Sequence, residues 1–152
     1  MLEWLESTRL AVWVGQSPSV WAMPTVLTLH TTGLALLVGA SWILDLRLLG
    51  IIPTVPLSAF RWVFPVVTIG LVVNVITGVL LFIKNATVWA TSVPFLVKML
   101  LVAASVATLV PIRAHVLRGD APDRRLRSWA IASIFAWCAA VTAGRLLAYL
   151  MV

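Results

Sequence analysis

The sequence predicts an all-α integral membrane protein: a four-helix up-down-up-down bundle preceded by an N-terminal interfacial amphipathic helix. The chain has 152 residues, of which 62% are hydrophobic and only 11% are charged. An ordinary soluble domain is about 45–50% apolar and about 25% charged. Four apolar stretches are each long enough to cross about 30 Å of hydrocarbon, which takes about 20 helical residues. Short connections join these stretches, so neighbouring helices are expected to run antiparallel.

The first predicted element is the interfacial helix, over residues 2–14. Glu3, Glu6 and Arg9 interrupt its apolar residues. The segment is therefore too short and too polar to span, but it is suited to lie along the membrane surface.

The remaining elements complete a single membrane domain over residues 1–152. The predicted spans cover residues 22–49, 60–83, 93–117 and 128–151. Their connections are a proline-rich segment (51–58), a polar turn (84–92) and a charged loop (118–127). Pro24 and Pro94 suit the first turns of their helices, and Pro111 predicts a kink inside the third span.

The distribution of basic residues predicts the orientation in the membrane. The loop before the fourth span and its flanks hold five arginines: Arg113, Arg118, Arg124, Arg125 and Arg127. Because lysine and arginine are enriched in cytoplasmic loops, the first and third connections are expected in the cytoplasm, and both termini in the periplasm. The net charge of +6 is thus explained by topology, and no nucleic-acid partner is expected.

Ionisable residues from three spans fall at a similar predicted depth. Counting 1.5 Å per helical residue, His30 lies about 12 Å, Lys98 roughly 8 Å and Arg145 about 9 Å from the outer end of its helix. Asn74 on the second span is somewhat deeper. A lysine or arginine at mid-span costs about 2.5–3.5 kcal/mol, so such groups usually face an interior cavity and indicate function.

These residues predict a cationic pocket that opens outward. Its lining is expected to be His30, Lys98, Arg145 and Tyr149, with Asn74 from the second span. Structural alternatives stay open: Lys98 and Arg145 are near enough to the interface to reach lipid phosphates, and His30 or Asn74 can serve as a hydrogen bond between helices.

Few residues of the sequence could serve as metal ligands. Cys138 is the only cysteine, which excludes an intrachain disulfide and any multi-cysteine metal site. The second histidine, His115, lies roughly 20 Å from His30 along the membrane normal, so the two cannot hold one haem. Met99 shares the level of His30, which leaves His–Met ligation of a haem iron, with His30 as the metal ligand, or a Cu(I) site. Methionine in a span is also ordinary packing.

Three stretches resemble an uncharacterised family of small bacterial four-span membrane proteins. They are LTLHTTGLALLVGASWILDLRLLG (27–50), FLVKMLL (95–101) and AGRLLAYL (143–150). The shared features are a Leu-His-x-x-Gly opening, an Asp-Leu-Arg-Leu-Leu-Gly exit from the first span, a lysine early in the third and a Gly-Arg-Leu-x-Ala-Tyr close. The resemblance implies the bacterial inner membrane. It marks six pattern residues: His30, Asp45, Arg47, Lys98, Arg145 and Tyr149.

The layout is more distantly similar to b-type cytochrome and copper-resistance D-type membrane subunits. Unlike b-type cytochromes with paired ligands, this chain lacks histidines at matching depth. The leading hypothesis is a redox-associated subunit whose pocket binds quinone or haem b and exchanges electrons with a partner protein. Such a partner is expected to be another membrane or periplasmic redox subunit, or a second copy of the chain in a homo-oligomer.

Two other functions remain open. One is a non-catalytic assembly or accessory subunit that binds lipid or partner helices. The other is copper or small-anion transport, for which four spans per chain would require an oligomer. The sequence carries no hydrolase elbow, phosphate loop, paired carboxylates or zinc signature, so enzymatic activity by this chain alone is not expected.

Overall fold

The computed structural model describes residues 2–119 and 122–150, and this part of the chain is helical without β-strands. In chain order the helices are α1 (Glu3–Glu6), α2 (Arg9–Gln16), α3 (Met23–Leu48), a 3-10 helix (Leu57–Trp62), α4 (Val63–Ile83), α5 (Ala86–Thr91), α6 (Val93–Arg118) and α7 (Arg124–Leu150). Four of them are long and apolar enough to cross a membrane: α3, α4 with the preceding 3-10 helix, α6 and α7. The predicted all-α, four-helix fold class is therefore confirmed.

The N-terminal segment forms two helices where the sequence predicts one over residues 2–14. Thr8 separates them, since its backbone is extended (φ −64°, ψ 144°) and its Oγ1 accepts a 3.3 Å hydrogen bond from the amide of Ala11. Threonine favours this cap position because its side chain satisfies an amide that has no partner inside the helix. Helix α2 then continues to Gln16, beyond the predicted end.

Proline, serine and glycine lie at the ends of the long helices, and the two first-turn prolines stand where the sequence predicts them. Pro24 lies in the first turn of α3, and Ser92 caps α6, whose first turn contains Pro94. Pro111 lies inside α6. The helix ends at Gly119, which has a φ of +76° in the left-handed region that glycine adopts without strain.

Two connections differ from the sequence prediction, one by containing a helix and one by being shorter. Residues 84–92, expected as a polar turn, contain helix α5. Helix α7 begins at Arg124, four residues before the predicted span, because Asp123 caps it: its Oδ1 accepts a 2.6 Å hydrogen bond from the amide of Leu126. The charged loop includes residues 120 and 121, which lie outside the described residues.

The four long helices pack as two antiparallel pairs. Helix α3 lies along α4, helix α6 lies along α7, and contact between α3 and α7 joins the pairs. The core between them contains Leu37, Leu44, Ile112, Val116 and Trp137, all nearly or completely buried. Large apolar side chains of α4, by contrast, are exposed on its outer face, as expected where a helix faces lipid.

A close approach of two glycines sets the α3–α4 packing. A Cβ added to Gly70 would lie 2.8 Å from both the Gly33 carbonyl oxygen and the Leu37 amide nitrogen. A Cβ added to Gly33 would lie 2.9 Å from Cγ1 of Val73. Only glycine fits at this crossing, and small residues are the usual means by which membrane helices approach closely.

We name the two ends of the bundle after His30 and Asp45 of α3. The histidine end contains Met23, Ile83 and Val93, and helices α1 and α2 pack there against α5 and α4. The aspartate end contains Leu48 and Arg118. His30 and Asp45 are 15 residues apart on α3, which separates them by about 22 Å along the helix.

Candidate functional site

The side chain of His30 is directed from α3 toward α4. Its Nδ1 lies 2.9 Å from Oγ1 of Thr77. The Thr77 hydroxyl donates its single hydrogen to the carbonyl oxygen of Val73, 2.6 Å away, one turn earlier in α4. Since that hydrogen is used, His30 Nδ1–H is the donor to Thr77. In the neutral imidazole, Nε2 then carries the free lone pair.

A second hydrogen bond joins the same turn of α3 to α4. Nδ2 of Asn74 donates to the carbonyl oxygen of His30, at 2.8 Å. Asn74 and Thr77 are three residues apart and therefore lie on one face of α4. The next residue, Gly78, leaves room for the ring, since an added Cβ there would lie 3.4 Å from Cε1 of His30. The residues of α4 thus fix both the backbone and the ring of His30.

Lys98 approaches this histidine from α6. Its ammonium group is close enough to the imidazole for a direct Coulombic interaction. Its aliphatic stem passes over α7, where a Cβ added to Gly144 would lie 3.4 Å from Cε and 3.8 Å from Nζ of Lys98. The side chain is partly buried between the two helices. The fold therefore brings His30, Asn74 and Lys98 to one level of the bundle.

The other residues predicted for the pocket are more exposed. Arg145 follows Gly144 on α7 and is exposed, and Tyr149 is exposed to 78%. Met99 is exposed to 47%, because it follows Lys98 by about 100° around the helix axis. All three side chains are exposed, and their part in a ligand site stays a prediction.

Thr77 and Gly144 complete the cluster, although sequence reasoning did not assign either residue to the site. The signal in the sequence that points to Thr77 is its spacing, three residues after Asn74 and therefore on the same helical face. Gly144 lies directly against the stem of Lys98.

The arrangement offers a proton acceptor beside a cationic donor. Nε2 of a neutral imidazole accepts a hydrogen bond or binds a metal, while the ammonium group of Lys98 donates to an oxygen. Within residues 2–119 and 122–150, no three His, Cys, Asp or Glu side chains are grouped so as to hold a metal ion. The donor and the acceptor of His30 and Lys98 can both bond to an oxygen-bearing ligand.

Comparison of the chain with models of protein families, with curated proteins and with solved structures gave no match in any of the three cases.

Proposed function

We propose that the chain is a redox-associated membrane subunit that binds a quinone beside His30 and exchanges electrons with a partner protein. The histidine end then faces the periplasm of a bacterial inner membrane. The observation that carries the proposal is the hydrogen bond between His30 Nδ1 and Thr77, which leaves Nε2 of His30 available to a ligand within Coulombic range of the Lys98 ammonium group.

The polar atoms of the cluster match the two redox forms of a quinone. A quinone carbonyl oxygen accepts a hydrogen bond from Lys98 Nζ, and a quinol hydroxyl donates one to Nε2 of His30. A bound quinone supplies proton-coupled electron transfer, while the protein supplies binding and orientation. Thr77 and Asn74 hold His30 in place, and Gly78 and Gly144 provide space on either side.

A haem b is the second candidate ligand. An imidazole whose other ring nitrogen donates to an oxygen is the usual arrangement of a metal-bound histidine, and His30 with Thr77 has that arrangement. Two observations weigh against it: the Lys98 ammonium repels a metal cation, and Met99, the methionine at this level, is half exposed. The residues present therefore fit a quinone better than a haem held by two protein ligands.

The test is quinone binding by the full chain in lipid nanodiscs, measured by tryptophan fluorescence quenching with a short-chain quinone. His30→Ala and Lys98→Met are each expected to weaken binding about tenfold, the equivalent of one lost charge-assisted hydrogen bond. Lys84→Met is the matched control, since Lys84 follows the end of α4 and lies outside the cluster. Equal affinity in all four proteins would contradict the proposal.

An absorption spectrum separates the two ligands. Protein expressed with ample haem is expected to show no Soret band, whereas a Soret band lost in His30→Ala would assign haem b to the site. If neither ligand binds, and the same two variants lose co-purification of a partner subunit, the chain is an accessory subunit that holds partner helices or lipid.

A further inference from the structure

Asp45 is an acidic side chain sealed inside the bundle, about 22 Å along α3 from His30. It is fully buried, with 0% of its surface exposed. Ser133 of α7 lies beside the carboxyl group. Even so, within the described residues neither carboxyl oxygen, nor Oγ of Ser133, makes a hydrogen bond of ordinary geometry. Unpartnered buried polar groups are rare in native proteins and call for an explanation.

Among residues 2–119 and 122–150, no charged side chain compensates the carboxyl group of Asp45. Its neighbours on α3, Leu44 and Leu48, belong to the apolar core. Helix α4 contains no charged residue, and the face of α7 that holds Ser133 continues to the buried Trp137. Arg47 of α3 donates instead to the carbonyl oxygen of Val55, and Arg61 donates to that of Leu117 at 3.1 Å. An ionised carboxylate in such a setting would be strongly destabilising.

A polar cavity lies close to this acid at the aspartate end. It measures about 320 Å³ and is lined by Pro111, His115, Arg118, Asp123, Arg125, Leu126 and Trp129. Trp129 and Leu126 precede Ser133 by four and seven residues, so the three share one face of α7. The cavity wall at Trp129 is therefore one helical turn, about 6 Å, from Ser133.

We propose that Asp45 is a proton-binding site that exchanges its proton with the aqueous cavity through Ser133. One bound proton makes the carboxyl group of Asp45 neutral, which suits its apolar surroundings. A metal cation at the same place would need several oxygen ligands. Ser133 is itself fully buried, so the transfer requires water from the cavity to enter the turn between Trp129 and Ser133. In the uptake step, a hydronium ion from the cavity gives a proton to Ser133 Oγ and becomes water, while Ser133 passes its own hydroxyl proton to a carboxylate oxygen of Asp45. The carboxylate becomes a carboxylic acid and the serine is unchanged. Release is the reverse step.

Infrared spectroscopy of the full chain in lipid tests this assignment. The chain has five acidic residues, and Asp45 is the one inside the spans. At neutral pH we expect the carbonyl stretch of a protonated carboxylic acid in the wild-type spectrum. The band is expected to be absent from Asp45→Asn and retained in Glu6→Gln, in which an acid of the N-terminal segment is changed. A spectrum without the band, or a band that remains in Asp45→Asn, would overturn the proposal.

Transfer into D₂O tests the exchange path. The wild-type band is expected to shift to lower frequency, and the shift is expected to be slower in Ser133→Ala. This variant should fold normally, because it removes a hydroxyl that has no hydrogen-bond partner. It also keeps the test valid if Asp45→Asn fails to fold. A band that never shifts identifies a sealed structural acid. An unchanged rate in Ser133→Ala excludes the serine path, and loss of the band on adding sodium indicates a cation site; each of these results overturns the proposal.

Discussion

The imidazole of His30 and the hydroxyl of Thr77 are joined by a 2.9 Å hydrogen bond across the α3–α4 interface. The bond can form because Gly33, about one helical turn from His30, and Gly70 of α4 let the two helices approach closely. The Thr77 hydroxyl donates its hydrogen bond to a carbonyl oxygen of its own helix, so Nδ1–H of the ring must be the donor to Thr77. The helix crossing thereby selects which nitrogen of His30 can serve a ligand.

Replacing Thr77 by valine is expected to weaken quinone binding about tenfold while the protein still folds. Valine keeps the shape of threonine but leaves Nδ1–H of His30 without an acceptor, and residues that orient a ligating histidine typically contribute at least about tenfold in affinity. Thr77→Ser should restore binding. Thr68→Val is the matched control, since Thr68 bonds only to its own helix in the same way. Wild-type affinity in Thr77→Val would show that the hydrogen bond does not orient the ring.

Gly70→Ala is expected to lower the free energy of unfolding by about 1–3 kcal/mol, the usual cost of overpacking. The added Cβ would meet the backbone of α3 at 2.8 Å, and a backbone cannot rotate away. The control is Gly39→Ala on α3, where an added Cβ meets nothing within 4 Å. That variant should be neutral or stabilising, because alanine favours a helix by up to about 1 kcal/mol over glycine. Thermal unfolding in detergent, followed by tryptophan fluorescence, compares the two.

Asn74→Leu is expected to reduce stability by about 0.6 kcal/mol and by no more than about 1.7 kcal/mol, the range measured for hydrogen bonds between membrane helices. The variant removes the 2.8 Å bond from Asn74 to the backbone of His30. Asn85→Ala serves as the control, since the side chain of Asn85 makes no capping bond to α5. A loss of several kcal/mol would mean that Asn74 holds more than this one contact.

Acidification is expected to release α1 from α5. Glu6 Oε1 accepts hydrogen bonds from the amide (2.8 Å) and the hydroxyl (2.6 Å) of Thr87. Both bonds lower the pKa of Glu6 below its ordinary 4.5, and the bond from the hydroxyl has the larger effect. A lowered folded-state pKa means that the contact stabilises the fold at neutral pH. This stabilisation is lost as the pH falls through the folded-state value.

Hydrogen exchange of the Thr87 amide measures this release. Protection is expected at neutral pH and loss of protection in acid. Glu6→Gln is expected to exchange faster than the wild type at neutral pH and at a similar rate in acid. Glu3→Gln should behave like the wild type, because Glu3 is exposed. Protection that does not respond to pH would contradict the assigned role of Glu6.

Much of the site could be placed from the sequence, since depth in a membrane helix follows from residue counting. His30 and Lys98 were expected at one level, and the fold brings them together. Which side of each helix faces the interior of the bundle was harder to predict. In α3 and α6 the apolar residues lie on every face of the helix, so their periodicity does not identify the face that points inward. Arg145 and Tyr149 are exposed, and their place in the pocket stays a prediction.

The sequence by itself determined four apolar helices, their order and the prolines in the first turns of two of them, because these depend on hydropathy and local backbone chemistry. Only the tertiary structure decided which side chains meet: Thr77 with His30, Lys98 with Gly144, and Asp45 with Ser133. The physical reason is that each meeting depends on the rotation and spacing of two helices distant in the chain. These are set by packing contacts such as that between Gly33 and Gly70, which no single segment specifies.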